Sequence, residues 1–274
     1  MNILITGGTG YLGSHLVEKL HKDHSLFLLP RGDIHIPDNI DLVIHLAGEV
    51  DIRQHGLYSG NLIGNNVEYT IKLIESMIEA GVNKLIYTSS MTVYSADNTI
   101  PVREDGRLQP SSFYGLTKKW AEEVILHYAN NTIVDFNAWI LRIPGIYGGN
   151  RKSGYIYNTI QKALNNEDIK LETFMDYWET IYIDDLTDII KKLLDYHIFA
   201  TKIFNISYGE ETDFIETAFK IKAMTESKSH IEVGNCNYNR FYLDNSKLMQ
   251  LPKFDFNYSF NDGLRRYINE IRNR

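Results

Sequence analysis

The sequence predicts an α/β fold, a doubly wound parallel sheet with helices on both faces and a smaller C-terminal lobe. Three observations carry this prediction. Short apolar runs alternate with helix-like stretches from Asn2 to Ile143, the pattern of strand-helix-strand units. The first run is joined to its helix by GGTGYLG, residues 7–13. The length, 274 residues, allows one large domain or a large domain with a small lobe.

Taken in order, NILIT is the first strand, and a helix begins near Tyr11 and continues through HLVEKLHK. LFLL and DLVIHLA are the next strands, but the stretch from Pro30 to Ile40 between them holds two prolines and a glycine. That is too little chain for a crossover helix, so an irregular connection is expected, with GDI (32–34) as the remnant of another strand. In NNVEYTIKLIESMIEAG, Val67, Ile71, Ile74 and Ile78 fall at helical spacing and Gly81 suits a C-cap, which predicts a helix over 66–80. KLIYTS and VDFNAWILRI read as strands on either side of a helix through KKWAEEVILHYA. After Arg142 the alternation thins. The division expected is 1–150 plus 179–207 for the sheet domain and 151–178 plus 208–274 for the small lobe.

Composition excludes several classes. Hydrophobic residues make up 43% and charged residues 23%, as in ordinary globular chains. The formal net charge is −7 with no basic block, which argues against a nucleic-acid partner. Cys236 is the single cysteine, so neither a disulfide framework nor a CxxC zinc set is expected, and none of the nine histidines sits in an HExxH spacing. No metal site is predicted. With neither a leader-like nor a long apolar segment, a cytoplasmic protein without membrane contact is expected.

Strand, glycine turn and helix in this order are the context of a dinucleotide fingerprint. Gly7 permits the turn, Gly10 clears a path for a pyrophosphate, and Gly13 lets the helix lie close to the sheet. A glycine run alone equally suits a simple strand-to-helix turn. No GK[ST] follows, which sets a Walker loop aside. Further on, Tyr114 and Lys118 in YGLTK share a helix face, where an ammonium would draw a phenol toward its phenolate. Such a pair is also common surface decoration. Ser90 closes the strand KLIYTSS at the edge where open sheets bind ligands, although a serine there also simply caps a strand.

Together GGTGYLG, HLAG (45–48), Asn66, SSMTVYS, YGLTK, LRIPGIYG (141–148) and IYIDDL (181–186) resemble the extended short-chain dehydrogenase/reductases, above all their nucleotide-sugar epimerases, dehydratases and reductases. FNISYGEET and LDNSKLMQL are similar to the late motifs of that family. The resemblance implies a Rossmann-type domain with a C-terminal substrate lobe, and a catalytic set of Ser90, Tyr114 and Lys118. It implies a cofactor site at Gly7, Gly10, Tyr11, Leu12, Gly13, Leu46, Ala47, Gly48, Asn66, Thr88, Tyr114, Lys118 and Ile143, with Asp33 as adenine contact. Where relatives that prefer NAD carry an aspartate, this chain has LFLLPRGD, so Arg31 favours NADP(H), with NAD(H) as the other option. A TDE-like run is absent at Ser90, Met91 and Thr92, which argues against a 4,6-dehydratase.

What remains is reduction of a nucleotide-linked 4-keto sugar, favoured by Arg31. The alternatives are a 4-epimerase with tightly bound NAD and a non-catalytic cofactor sensor. For the substrate, Ser90, Gly145, Trp178 and Arg240 are the positions implied. Gly145 stands where relatives carry asparagine, and Trp178 where they carry an arginine that clamps the diphosphate. Arg151 or Arg240 is left to take that role, or the substrate carries no diphosphate. A homodimer is expected by the same resemblance.

Overall fold

The structure is a computed structural model that describes residues 1–50, 60–131, 133, 135–175, 179–196, 200–238, 240–252 and 254–274. In chain order, β1 (Asn2–Thr6) leads into α1 (Tyr11–Leu20), β2 (Ser25–Leu29) and β3 (Leu42–His45). There follow α2 (Gly60–Ile63), a π turn over Gly64–Glu68, α3 (Tyr69–Glu79), β4 (Lys84–Ser90), α4 (Phe113–Ala129), β5 (Asn137–Ile143) and β6 (Gly145–Tyr147). The remainder holds α5 (Tyr155–Leu164), β7 (Ile169–Met175), β8 (Thr180–Tyr182), α6 (Ile183–Leu194), β9 (Lys202–Asn205), α7 (Phe214–Thr225), β10 (Ile231–Tyr238), α8 (Ser246–Met249) and α9 (Phe260–Arg272).

Six strands pair in parallel in the order β2-β1-β3-β4-β5-β9. Alternate side chains feed two cores. Ile3, Ile5 and Ile44 pack with Leu16 of α1 and Leu186, Ile190 and Leu193 of α6. Leu4 and Val43 face the other way, onto Leu73, Ile74 and Met77 of α3 and Ala121 and Ile125 of α4. This is the Rossmann-type arrangement, with apolar strands buried on both faces. A third core joins α5, α7 and α9 to Tyr147 and Tyr182, and carries the parallel pair β7 and β10.

The connection from β2 to β3 is irregular, as its length requires. Ile36 and Ile40 are buried in it and plug the sheet face that a helix would otherwise cover. GDI is not a strand: Asp33 folds into a turn, and its backbone oxygen accepts from the Tyr69 hydroxyl at 2.8 Å. From Gly64 to Glu79, the π turn and α3, the buried positions are Asn66, Thr70, Leu73, Ile74 and Met77. Val67, Ile71 and Ile78 are only half-buried. The π turn takes up an extra residue, and the buried stripe lies one position off the predicted one.

Candidate active site

The strand order reverses between β1 and β3, and ligands of open α/β sheets bind at such a switch point. Here the turns after the two strands touch. Gly7 has φ +71°, and a Cβ on it would stand 2.7 Å from the Ala47 nitrogen. A Cβ on Gly13 would stand 2.1 Å from the Gly7 carbonyl oxygen, so α1 packs directly on the turn. Gly10 is the N-cap of α1 and offers no capping side chain, which leaves the first helical N–H groups to face an anion. Two cavities of about 680 and 560 Å³ share Leu46, Gly48 and Val50, and so form one trough along the C-terminal strand ends. The smaller chamber is walled by Gly7, Gly10, Ala47 and Arg31, the larger by Tyr11, Leu12, Thr88, Ser90, Tyr114, Lys118, Ile143 and Gly145. A dinucleotide fits such a cradle: glycine turn, free helix N-terminus and elongated trough are what its pyrophosphate and two nucleosides require.

Ser90, Tyr114 and Lys118 meet because α4 starts against the turn that follows β4. The Ser112 hydroxyl caps that helix by accepting from Gly115 N at 3.0 Å. Gly115 allows the approach, since a Cβ there would lie 2.3 Å from the Thr92 carbonyl oxygen. Ser90 Oγ accepts from Thr92 N (3.2 Å) and Thr92 Oγ1 (2.9 Å), which leaves its own proton to face the Tyr114 hydroxyl, whose pKa it lowers. Burial pushes Tyr114 up to about 12, and the Ser90 bond offsets only part of that. The lowering expected from Lys118 is therefore not what the chain's own residues give. The Lys118 ammonium instead donates to Tyr87 Oη (3.2 Å) and the Thr88 carbonyl (2.8 Å), and burial lowers it to about 8.

Asn66 stands behind the trough. Its amide accepts from Glu49 N (2.7 Å) and donates to Glu49 O and Thr117 Oγ1 (both 3.0 Å), tying the exit of β3 to α4. His45, in the HLAG run, is fully buried and joins three elements. Thr70 gives its hydroxyl proton to Asn66 O (2.8 Å) and so accepts from His45 Nε2 (3.0 Å); His45 Nδ1 then accepts from Thr6 Oγ1 (2.7 Å). Burial lowers His45 to about 3, so it stays neutral.

Beneath the trough lies an ion pair that the sequence reading passed over. Arg142 and Glu122 are each 1% exposed, and Arg142 Nη2 donates to Glu122 Oε2 at 2.7 Å. Ser89 donates to the same carboxylate, while Arg142 Nη1 reaches Tyr94 Oη and Glu104 O at 2.8 Å each. An arginine inside the apolar run WILRI was the available signal, because a charge in a central strand must find a partner.

Other predicted positions fall elsewhere. Asp33 does not wall the trough; its carboxylate accepts from His35 N at 3.0 Å and stabilises its own loop. Arg240 is not brought to the site, being paired with Glu211 through Nε at 2.9 and 2.8 Å. Trp178 lies outside the described residues. Arg151 does wall the larger chamber. Among the described residues, no group of three or more His, Cys, Asp or Glu could hold a metal ion, and no helix is long and apolar enough to cross a membrane.

Glu179 is buried beside Gly145, whose N–H donates to its backbone oxygen at 3.0 Å. Its carboxyl is bonded to Ser207 Oγ and accepts from Leu243 N (3.0 Å), and burial raises it to about 8. A raised folded value means stability that is full below the ordinary carboxyl range, near 4.5, and is lost as pH rises through 8. Glu179→Gln keeps shape and partners without the titration. Its stability relative to the parent should therefore climb between pH 5 and 8, by about 3–4 kcal/mol, seen as a rising difference in melting temperature. A pH-independent difference in paired melts would contradict this.

A model of the NAD dependent epimerase/dehydratase family matches residues 3–207. The chain belongs to this family. In Methanocaldococcus jannaschii, a protein provisionally named a UDP-glucose 4-epimerase is 29% identical over 319 aligned positions, covering 99% of this chain and 98% of that protein. Among solved structures, MoeE5 in complex with UDP-glucose and NAD superposes with a TM-score of 0.86 at 23% identity, covering 100% and 99% of the two chains. The UDP-glucuronic acid 4-epimerase of Bacillus cereus in complex with NAD gives 0.85 at 22%, covering 100% and 99%. At such identities the structures show the epimerase/dehydratase fold of the chain.

Proposed function

We propose that this protein is an NAD-dependent nucleotide-sugar 4-epimerase. The observation that carries the reading is that Ser90, Tyr114 and Lys118 wall one chamber, which opens past Leu46, Gly48 and Val50 onto the dinucleotide cradle. The names of its relatives favour inversion at C4 over the reduction of a keto sugar. NAD in the titles of the solved neighbours likewise supports NAD; the NADP(H) preference drawn from Arg31 finds no support there.

When bound, NAD supplies a reversible hydride acceptor and, in its oxidised form, a positive charge that draws Tyr114 toward its phenolate. Tyr114 then takes the proton of the sugar 4-hydroxyl and later returns it. Ser90 holds the same oxygen through its orientable proton. Lys118 is anchored between Tyr87 and Thr88, where its charge steadies the cofactor side of the reaction. Apolar and aromatic walls, Ile143, Met91 and Tyr157 among them, keep water from a keto sugar held between the two half-reactions.

Incubation with UDP-glucose, UDP-N-acetylglucosamine and UDP-glucuronic acid, followed by proton NMR, tests this. At least one should be inverted at C4 with no net consumption of nicotinamide cofactor. Stoichiometric oxidation of NADPH by a 4-keto sugar, without inversion, would replace the epimerase by the reductase.

A further inference from the structure

Resting on the reading above, we propose that Arg151 receives the diphosphate of the substrate, and that the hydroxyls of Tyr11 and Tyr267 hold it in place. Two cations, Lys118 and Arg151, and no carboxylate wall the larger chamber among the described residues. Lys118 is already engaged with Tyr87 and Thr88. Arg151 is different. Its Nε donates to Ser153 O (3.2 Å) and its Nη1 to Ile146 O (3.1 Å), which fixes the plane of the guanidinium, while Nη2 donates to none of the described residues. Arg240, Arg107 and Arg142 each face a carboxylate; among the described residues Arg151 meets only carbonyls and the Tyr11 ring, 5.5 Å away. A half-buried, preoriented guanidinium with free N–H groups and no counter-charge is suited to a phosphate, whose oxygens it can meet as a fork.

The loop that carries Arg151 is tied from two sides. Tyr11, the first residue of α1, donates to Gly148 O at 2.8 Å, and Tyr267 of α9 donates to the carbonyl of Arg151 itself at 2.6 Å. Arg274 adds a bond to Gly149 O. Tyr11 thus belongs both to the helix end that faces the cofactor and to the strap on the loop, which sets the spacing between the cofactor seat and Arg151. Tyr267 is a positioning residue that acts through Arg151.

The test uses UDP as the probe, titrated calorimetrically into the full-length, NAD-loaded protein, alongside steady-state kinetics with any UDP-sugar that is turned over. Arg151→Gln should weaken UDP at least tenfold, and Arg151→Lys should recover part of the loss. Tyr267→Phe should raise KM and the UDP dissociation constant three- to tenfold with kcat within twofold, and should add nothing in the Arg151→Gln background. Thermal melts identify a variant that fails to fold, in which case Arg151→Lys and Tyr267→Phe carry the comparison. Unchanged UDP affinity in Arg151→Gln, a parent that binds no UDP, or a Tyr267→Phe effect that persists without Arg151 would each overturn the proposal. Failure of the epimerase reading looks different: UDP binds through Arg151 but no UDP-sugar is inverted.

Discussion

Replacing Tyr114 by phenylalanine should lower the rate of sugar inversion by about 10²- to 10⁴-fold while leaving the fold and the NAD content close to those of the parent. Only one hydroxyl is removed. The ring still fills the half-buried space at the start of α4, and the bond it forfeits is the one to Ser90. The size of the effect follows from the surroundings. Burial holds the phenol up to about 12, so the proton transfer proposed for Tyr114 depends on its neighbours and is one that water would not easily take over. A single-turnover measurement with NAD-loaded protein isolates the step from product release. If Tyr114→Phe runs within tenfold of the parent, Tyr114 does not move the proton.

Removing Glu122 should be the most damaging single change to stability, at about 3–5 kcal/mol for Glu122→Ala. The cost is not the lost attraction but the Arg142 guanidinium left charged and 1% exposed in the sheet. Ser89 loses its acceptor at the same time. Glu122→Leu combined with Arg142→Met removes both charges and should recover most of the loss, which urea unfolding of the four proteins would show as a large coupling energy. Additive losses would mean that the pair is not the unit assumed. Glu122 also lies one turn beyond Lys118 and its charge raises the Lys118 pKa, so in a folded Glu122→Gln protein the alkaline limb of the rate profile should move to lower pH.

The alternation of strands and helices was legible from Asn2 to Ile143 because each element shows its own period, and GGTGYLG and YGLTK were legible because the chemistry of each sits within a few neighbouring residues. What escaped was non-local. The phase of the helix after β3 depends on a π turn that apolar spacing does not reveal. Asp33 looked like a cofactor contact but stabilises its own turn, and Arg240 found Glu211. Glu122 and Arg142 lie in different elements, and only the third dimension shows that they meet. Arg151 was one of two candidates from sequence; the wall of a cavity separates it from the other.

The strap on the Arg151 loop also bears on how the chain matures. Its bonds join residues 137, 125 and 116 positions apart, and two of the three come from the segment 267–274. During synthesis the glycine turn, the central strands and the Ser90, Tyr114 and Lys118 constellation all leave the ribosome well before that segment. If Arg151 grips a diphosphate as proposed, that grip is completed only after the glycine turn and the three site residues have been made.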